Sequence, residues 1–137
     1  MQLAPTHLRD WFLVGLILTI APLIVVGVST VKQSQQRRAA AIALTGGDPS
    51  KAPAIFTRYG CSGCHTIPGI AGADGKVGPS LAELREKIYL AGSVNNSPEN
   101  LVQWILSPQH FEPHSAMPVT GINEEEARHL AAYLYDQ

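Results

Sequence analysis

The apolar and polar positions of this chain fall into two regimes. From Trp11 to Val31 (WFLVGLILTIAPLIVVGVSTV) twenty-one residues pass without a charge. At about 1.5 Å per residue, a helix of that length covers roughly 30 Å, the thickness of a bilayer's hydrocarbon core. Gly15, Pro22 and Gly27 are compatible with such a span, and Trp11 stands where an interfacial aromatic anchor belongs. The run exceeds the 7–15 residues of a signal-peptide core. The small-residue run Ala39-Ala40-Ala41 follows Lys32, Arg37 and Arg38, poorly placed for cleavage. The pattern predicts an uncleaved transmembrane helix over 11–31, preceded by a cytoplasmic tail over 1–10.

Beyond Val31 the pattern changes. Residues 32–44 (KQSQQRRAAAIAL) are good helix formers and can continue the helix as a stalk to about Leu44. Thr45-Gly46-Gly47-Asp48-Pro49 closes it, giving a linker over 32–47 and a domain over 48–137. Ile55, Phe56 and Tyr59 lie at helical spacing within 52–60. A Gly- and Pro-rich loop fills 66–80, and a short helical piece is expected at 81–87. Ser97-Pro98-Glu99-Asn100 is a capped helix start, with Leu101, Trp104 and Ile105 as its buried stripe and Ser107-Pro108 as its stop. Asn123 opens the last helix, with Glu126 placed as in a capping box. Leu130, Tyr133 and Leu134 form its apolar face, and His129 is expected on its exposed side. No strand pattern appears, so the fold class is all-α.

Composition narrows the function. Net charge is −1 and the sequence pI about 6.5, which argues against a nucleic-acid partner. From Lys51 onward nine carboxylates outnumber six basic side chains. A slightly acidic domain suits a component of a complex, or one meeting a basic partner, better than a carrier that meets acidic docking sites.

The chemistry concentrates in Cys61-Ser-Gly-Cys64-His65, which uses both cysteines of the chain. A Cys-x-x-Cys-His run is a c-type haem attachment site: each thiol forms a thioether with a porphyrin vinyl group, and the next imidazole ligates the iron. The competing readings are weaker. A thioredoxin-like pair needs a βαβ context, zinc wants four ligands, and a disulfide here closes only a very short loop. One covalent haem c is therefore expected, supplying apolar mass that so small a core lacks.

The iron then needs a sixth ligand or an open position. Of two methionines, Met1 precedes the span and Met117 lies in His114-Ser115-Ala116-Met117-Pro118, between two predicted helices. A thioether raises the potential relative to a second imidazole. Met117 is the expected ligand, with His110 and His114 as competitors and gap-filling as the plain alternative.

Over 48–137 the chain resembles the class I c-type cytochromes. The resemblance rests on Phe56 ahead of Cys61-Ser-Gly-Cys64-His65, then Gly78-Pro79-Ser80-Leu81, Asn100 to Pro108 with Trp104, Met117-Pro118, and Leu130-Ala-Ala-Tyr133-Leu134. It implies that the Pro79 carbonyl takes the proton-bearing nitrogen of His65, and that Phe56 and Tyr133 pair where the first and last helices cross. It also implies Met117 as distal ligand and Trp104 packed near the haem. Arg85-Glu-Lys-Ile-Tyr89 is similar to cytochrome domains associated with haem–copper oxidases, which implies Arg85, Lys87 and Tyr89 as propionate partners; a solvated face is the plain alternative for Arg85 and Lys87.

These expectations describe a membrane-anchored electron carrier in a respiratory or photosynthetic chain, without a catalytic site of its own or a small-molecule substrate. Its partners would be redox proteins of a larger membrane complex, a terminal oxidase foremost, and membrane lipid. Lys32, Arg37 and Arg38 against Arg9 would by charge alone place the C-terminal part in the cytoplasm. The resemblance implies haem attachment outside it, so the domain is expected in the periplasm of a bacterial inner membrane. The alternative function is a gas sensor or peroxidase-like enzyme in which Met117 is displaced.

Overall fold

The computed structural model describes residues 6–137, with side chains from Asp10 onward. Residues 1–5 of the expected tail, including Met1, and the side chains of His7 and Arg9 lie outside the described residues. The apolar run and the Ala-rich stretch after it form one helix, α1, Thr6–Thr45. The hydroxyls of the apolar run are satisfied within the helix: Thr19, Ser29 and Thr30 donate to the carbonyls of Leu16, Val26 and Gly27 at 2.8–2.9 Å. That suits a medium without water to bond them. Trp11 is 78% exposed and Leu23 72%, and the stretch is long and apolar enough to cross a membrane. By internal contacts the chain divides into two compact units after Gln35.

The second unit, residues 36–137, is built on locally capped helices. Asp48 opens a 3-10 turn at Pro49–Lys51, its carboxylate accepting from the amide and hydroxyl of Ser50. Helix α2 follows at Ala52–Arg58. Ser97 caps α3, Pro98–Leu106, by accepting from the Asn100 amide. Ser107-Pro108 ends α3 as expected, but Pro108 also starts a further turn, α4, Pro108–Phe111. Proline pre-sets the first helical residue as readily as it stops a preceding helix. Asn123 caps α5, Glu124–Asp136.

Helix α5 packs against the 49–51 turn, α2 and α3. Ala127, Ala131 and Ala132 are fully buried along it, and their small side chains let the neighbours approach closely. Phe56, Val102, Leu130 and Leu134 fill the space between. Burying Phe56 alone contributes about 1.5–3 kcal/mol.

Three local expectations change. His129 is buried, not exposed, because α5 is covered on a second side by the 46–51 segment. Its Nδ1 accepts from the Asp48 amide at 2.9 Å, while the Arg128 guanidinium donates to the Thr45 carbonyl at 3.0 Å. Glu126 does not complete a capping box. Its amide bonds Asn123, but its carboxylate accepts from Tyr59 Oη at 2.7 Å and Arg58 at 2.6 Å. The domain also holds one two-residue antiparallel ribbon, β1 Tyr89–Leu90 with β2 Val94–Asn95, in register Tyr89 to Asn95 and Leu90 to Val94. Ala91 turns it at φ 47°. The fold is otherwise helical, and the expected piece at 81–87 is a single 3-10 turn, Leu84–Glu86.

Candidate functional site

The cysteine motif forms a tight 3-10 turn, Cys61–Gly63. The amides of Cys64 and His65 both donate to the Cys61 carbonyl, at 3.2 and 3.0 Å. This winding brings two thiols and an imidazole together. Both cysteines are free thiols and half-buried. Burial pushes the Cys61 thiol up, against a smaller lowering by a backbone hydrogen bond.

The loop after the motif folds back along it. Gly78 donates to the Cys64 carbonyl at 2.8 Å, Leu81 to the Thr66 carbonyl at 2.9 Å, and Thr66 Oγ1 to the Gly75 carbonyl at 3.0 Å. His65 Nδ1 lies 2.7 Å from the Pro79 carbonyl oxygen. That oxygen can only accept, so Nδ1 carries the proton and Nε2 keeps its lone pair for a metal. Two glycines make this approach possible. A Cβ on Gly78 would overlap the His65 ring, and one on Gly75 would lie 2.6 Å from the Cys64 carbonyl carbon.

Met117 stands half-buried in the irregular stretch after α4. Its amide donates to Ser115 Oγ at 3.3 Å and its carbonyl accepts from Gln109 Nε2 at 2.7 Å. Trp104 on α3 stacks with Phe111 on α4, ring centroids 6.1 Å apart at 23°. His110 meets Phe111 edge-on at 5.0 Å and is exposed, as is His114. Phe56 and Tyr133 meet edge-to-face at 5.5 Å, and Tyr133 Oη donates to the Pro68 carbonyl at 2.7 Å.

Sequence reasoning did not find Gln109 or Phe111. Phe111, seven residues beyond Trp104, was hidden by the proline taken as a stop. Of the named candidates, Cys61, Cys64, His65 and Pro79 come together in one loop pair. Arg85 and Tyr89 are exposed, on the 84–86 turn and on β1, and make no side-chain hydrogen bond or ion pair among the described residues.

Two free thiols on one turn, an adjacent imidazole with its far nitrogen available, and a glycine cradle behind the ring form a donor set that fits haem c. The family comparison agrees: residues 50–136, more than half of the chain, match the model for cytochrome c. The chain belongs to the cytochrome c family. It is thus an electron-transfer cytochrome, and its family carries haem c attached to protein.

This cytochrome is also similar to two oxidase subunits. It is 35% identical over 81 residues to the cytochrome c oxidase subunit 2 of Alkalihalophilus pseudofirmus, covering 58% of this chain and 23% of the relative. It is 31% identical over 85 residues to the cytochrome c oxidase subunit 2 of Bacillus sp. strain PS3, covering 59% and 24%. The chain therefore spans about a quarter of the length of each of these relatives. No solved structure matches it.

Proposed function

We propose that this cytochrome holds one haem c through Cys61 and Cys64, with His65 and Met117 as axial ligands, and passes single electrons to a membrane complex of the oxidase type. The observation that carries the reading is the His65 Nδ1 to Pro79 bond beside two free thiols. Bound haem supplies a one-electron ferric/ferrous couple. The chain's residues supply the rest. Pro79 orients the imidazole and raises its donor strength. His65 Nε2 and the Met117 sulfur would both be committed to holding the haem iron, which would favour one-electron exchange over substrate binding.

The exposed apolar helix supports membrane anchoring: unpartnered apolar surface of this extent marks contact with lipid or protein. Anchoring would raise the effective concentration of the domain for a partner in the same membrane. The similarity to oxidase subunits supports an oxidase as that partner. Covalent haem attachment supports a periplasmic domain, on the boundaries 1–10, 11–31, 32–47 and 48–137. Arg85, Tyr89 and Trp104 remain candidates for the haem periphery.

The test is a carbon monoxide titration of the purified reduced holoprotein, together with affinity isolation from native membranes. A low-spin spectrum indifferent to carbon monoxide and co-isolation of oxidase chains are expected. Rapid carbon monoxide binding would instead assign a gas-binding or peroxidase-like role, and haem extractable by acidified acetone would sink the covalent assignment.

A further inference from the structure

Gln109 occupies the second position of α4, and its side chain reaches over the loop that follows. Its Nε2 donates to the Met117 carbonyl at 2.7 Å and to the Ser115 carbonyl at 3.2 Å. A carboxamide nitrogen carries two hydrogens, so both are spent on this loop. The amide cannot be turned over, since Oε1 would then face two carbonyl oxygens. In the orientation it must take, Oε1 is buried and has no hydrogen-bond partner among the described residues. An unpaired buried acceptor is unfavourable, and such an atom in a folded protein calls for an explanation. The amide's own satisfaction is not that explanation. What its nitrogen holds is the better one.

The held group is the backbone of Met117. Its amide goes to Ser115 Oγ and its carbonyl to Gln109, in a stretch that forms neither helix nor strand. Pro118 follows and has no N–H to bond. Two side chains thus replace the ladder that regular structure would provide. We propose that Gln109 is a positioning residue for Met117, fixing the loop so that the thioether stays in place and resists displacement. This rests on the assignment of Met117 as an axial ligand.

The test uses the full-length holoprotein in detergent. Ferric protein is titrated with imidazole while the near-infrared sulfur-to-iron charge-transfer band is followed, and midpoint potential and melting temperature are recorded beside it. In Gln109→Leu imidazole should bind about ten-fold more tightly, since ten-fold corresponds to about 1.4 kcal/mol, the scale of one or two neutral hydrogen bonds. The potential should fall with it. Gln109→Glu, which cannot donate when ionised, should behave alike and serves if the leucine variant yields no holoprotein. Unchanged imidazole affinity and potential, with only a lower melting temperature, would overturn the inference. Met117→Ala separates the two layers: it should abolish the band. A band that survives this substitution removes the ligand assignment and the inference together, whereas a lost band with unresponsive Gln109 variants removes the inference alone.

Discussion

Residues 60–81 and residues 107–123 each carry one of the two proposed iron ligands, His65 and Met117, and they hold it in different ways. Around His65 the support is main chain and close packing: amides of Cys64, His65, Gly78 and Leu81 all find backbone carbonyls within the loop pair, and Gly75 and Gly78 leave no spare volume. Around Met117 it is two side chains, Gln109 and Ser115. A main-chain ladder fails only when the fold does. A pair of side-chain bonds can open while the fold stands. The His65 side should therefore report on stability and the Met117 side on ligand exchange.

The strongest challenge to this contrast is Gly78→Ala. The added Cβ would overlap the His65 ring, and neither the ring, tied to Pro79, nor the backbone, tied to Cys64, can yield cheaply. Overpacking of this kind costs about 1–3 kcal/mol, and a domain of this size loses about 4–8 °C of Tm per kcal/mol. A thermal melt of the holoprotein should fall by about 4–24 °C; an unchanged melt would show that the His65 loop is softer than its bonding suggests.

Tyr133→Phe is milder. It keeps the ring against Phe56 but removes the hydroxyl that braces the Pro68 carbonyl. One lost hydrogen bond of this type costs about 1 kcal/mol, read as a lower urea midpoint at unchanged slope. The low-spin spectrum should not change. A spectral change would mean that this brace sets ligand geometry as well as stability.

On the other side, Ser115→Ala removes the acceptor of the Met117 amide. Ser115 and Met117 are half-buried and the bond is long, 3.3 Å, so the stability loss should lie at the low end for one hydrogen bond, about 0.5 kcal/mol. Imidazole should nevertheless displace Met117 several-fold more readily. A melt that falls as far as that of Gly78→Ala would erase the distinction between the two loops.

What the sequence revealed follows the same divide. Signals that act within a few residues were legible: Ser97 and Asn123 cap the helices expected of them, and Cys61, Cys64 and His65 sit on one turn. Signals that need a distant partner were not. His129 reads as an exposed helix residue until Asp48, 81 positions away, supplies its hydrogen bond. Gln109 carries no mark, because both its acceptors are main-chain carbonyls, which every residue has. The ribbon at 89–95 has two residues per strand, too few to show alternation. The His65 to Pro79 bond was reached only through family resemblance, since no spacing rule pairs a histidine with a carbonyl 14 residues on.

The smallest expected effect lies at the entry to the His65 loop, where Tyr59 and Arg58 meet Glu126 just before Gly60. The Tyr59 hydroxyl donates to the Glu126 carboxylate, and that bond, more than any other influence, holds the carboxyl below its ordinary 4.5. The same bond, with some burial, raises Tyr59 above its ordinary 10.0. The signs follow from linkage. A carboxyl depressed by folding adds stability above pH 4.5 and loses it as pH falls through its lower folded value. A phenol raised by folding adds stability below pH 10 and loses it as pH climbs through its higher folded value. The difference in urea midpoint between the parent and Tyr59→Phe should thus be flat from about pH 5 to 10 and narrow at both ends. A difference that persists undiminished at pH 3 would mean that ring packing, not the hydroxyl, joins α2 to α5. The rigidity ascribed to the His65 loop would then begin at Gly60 rather than at the helix before it.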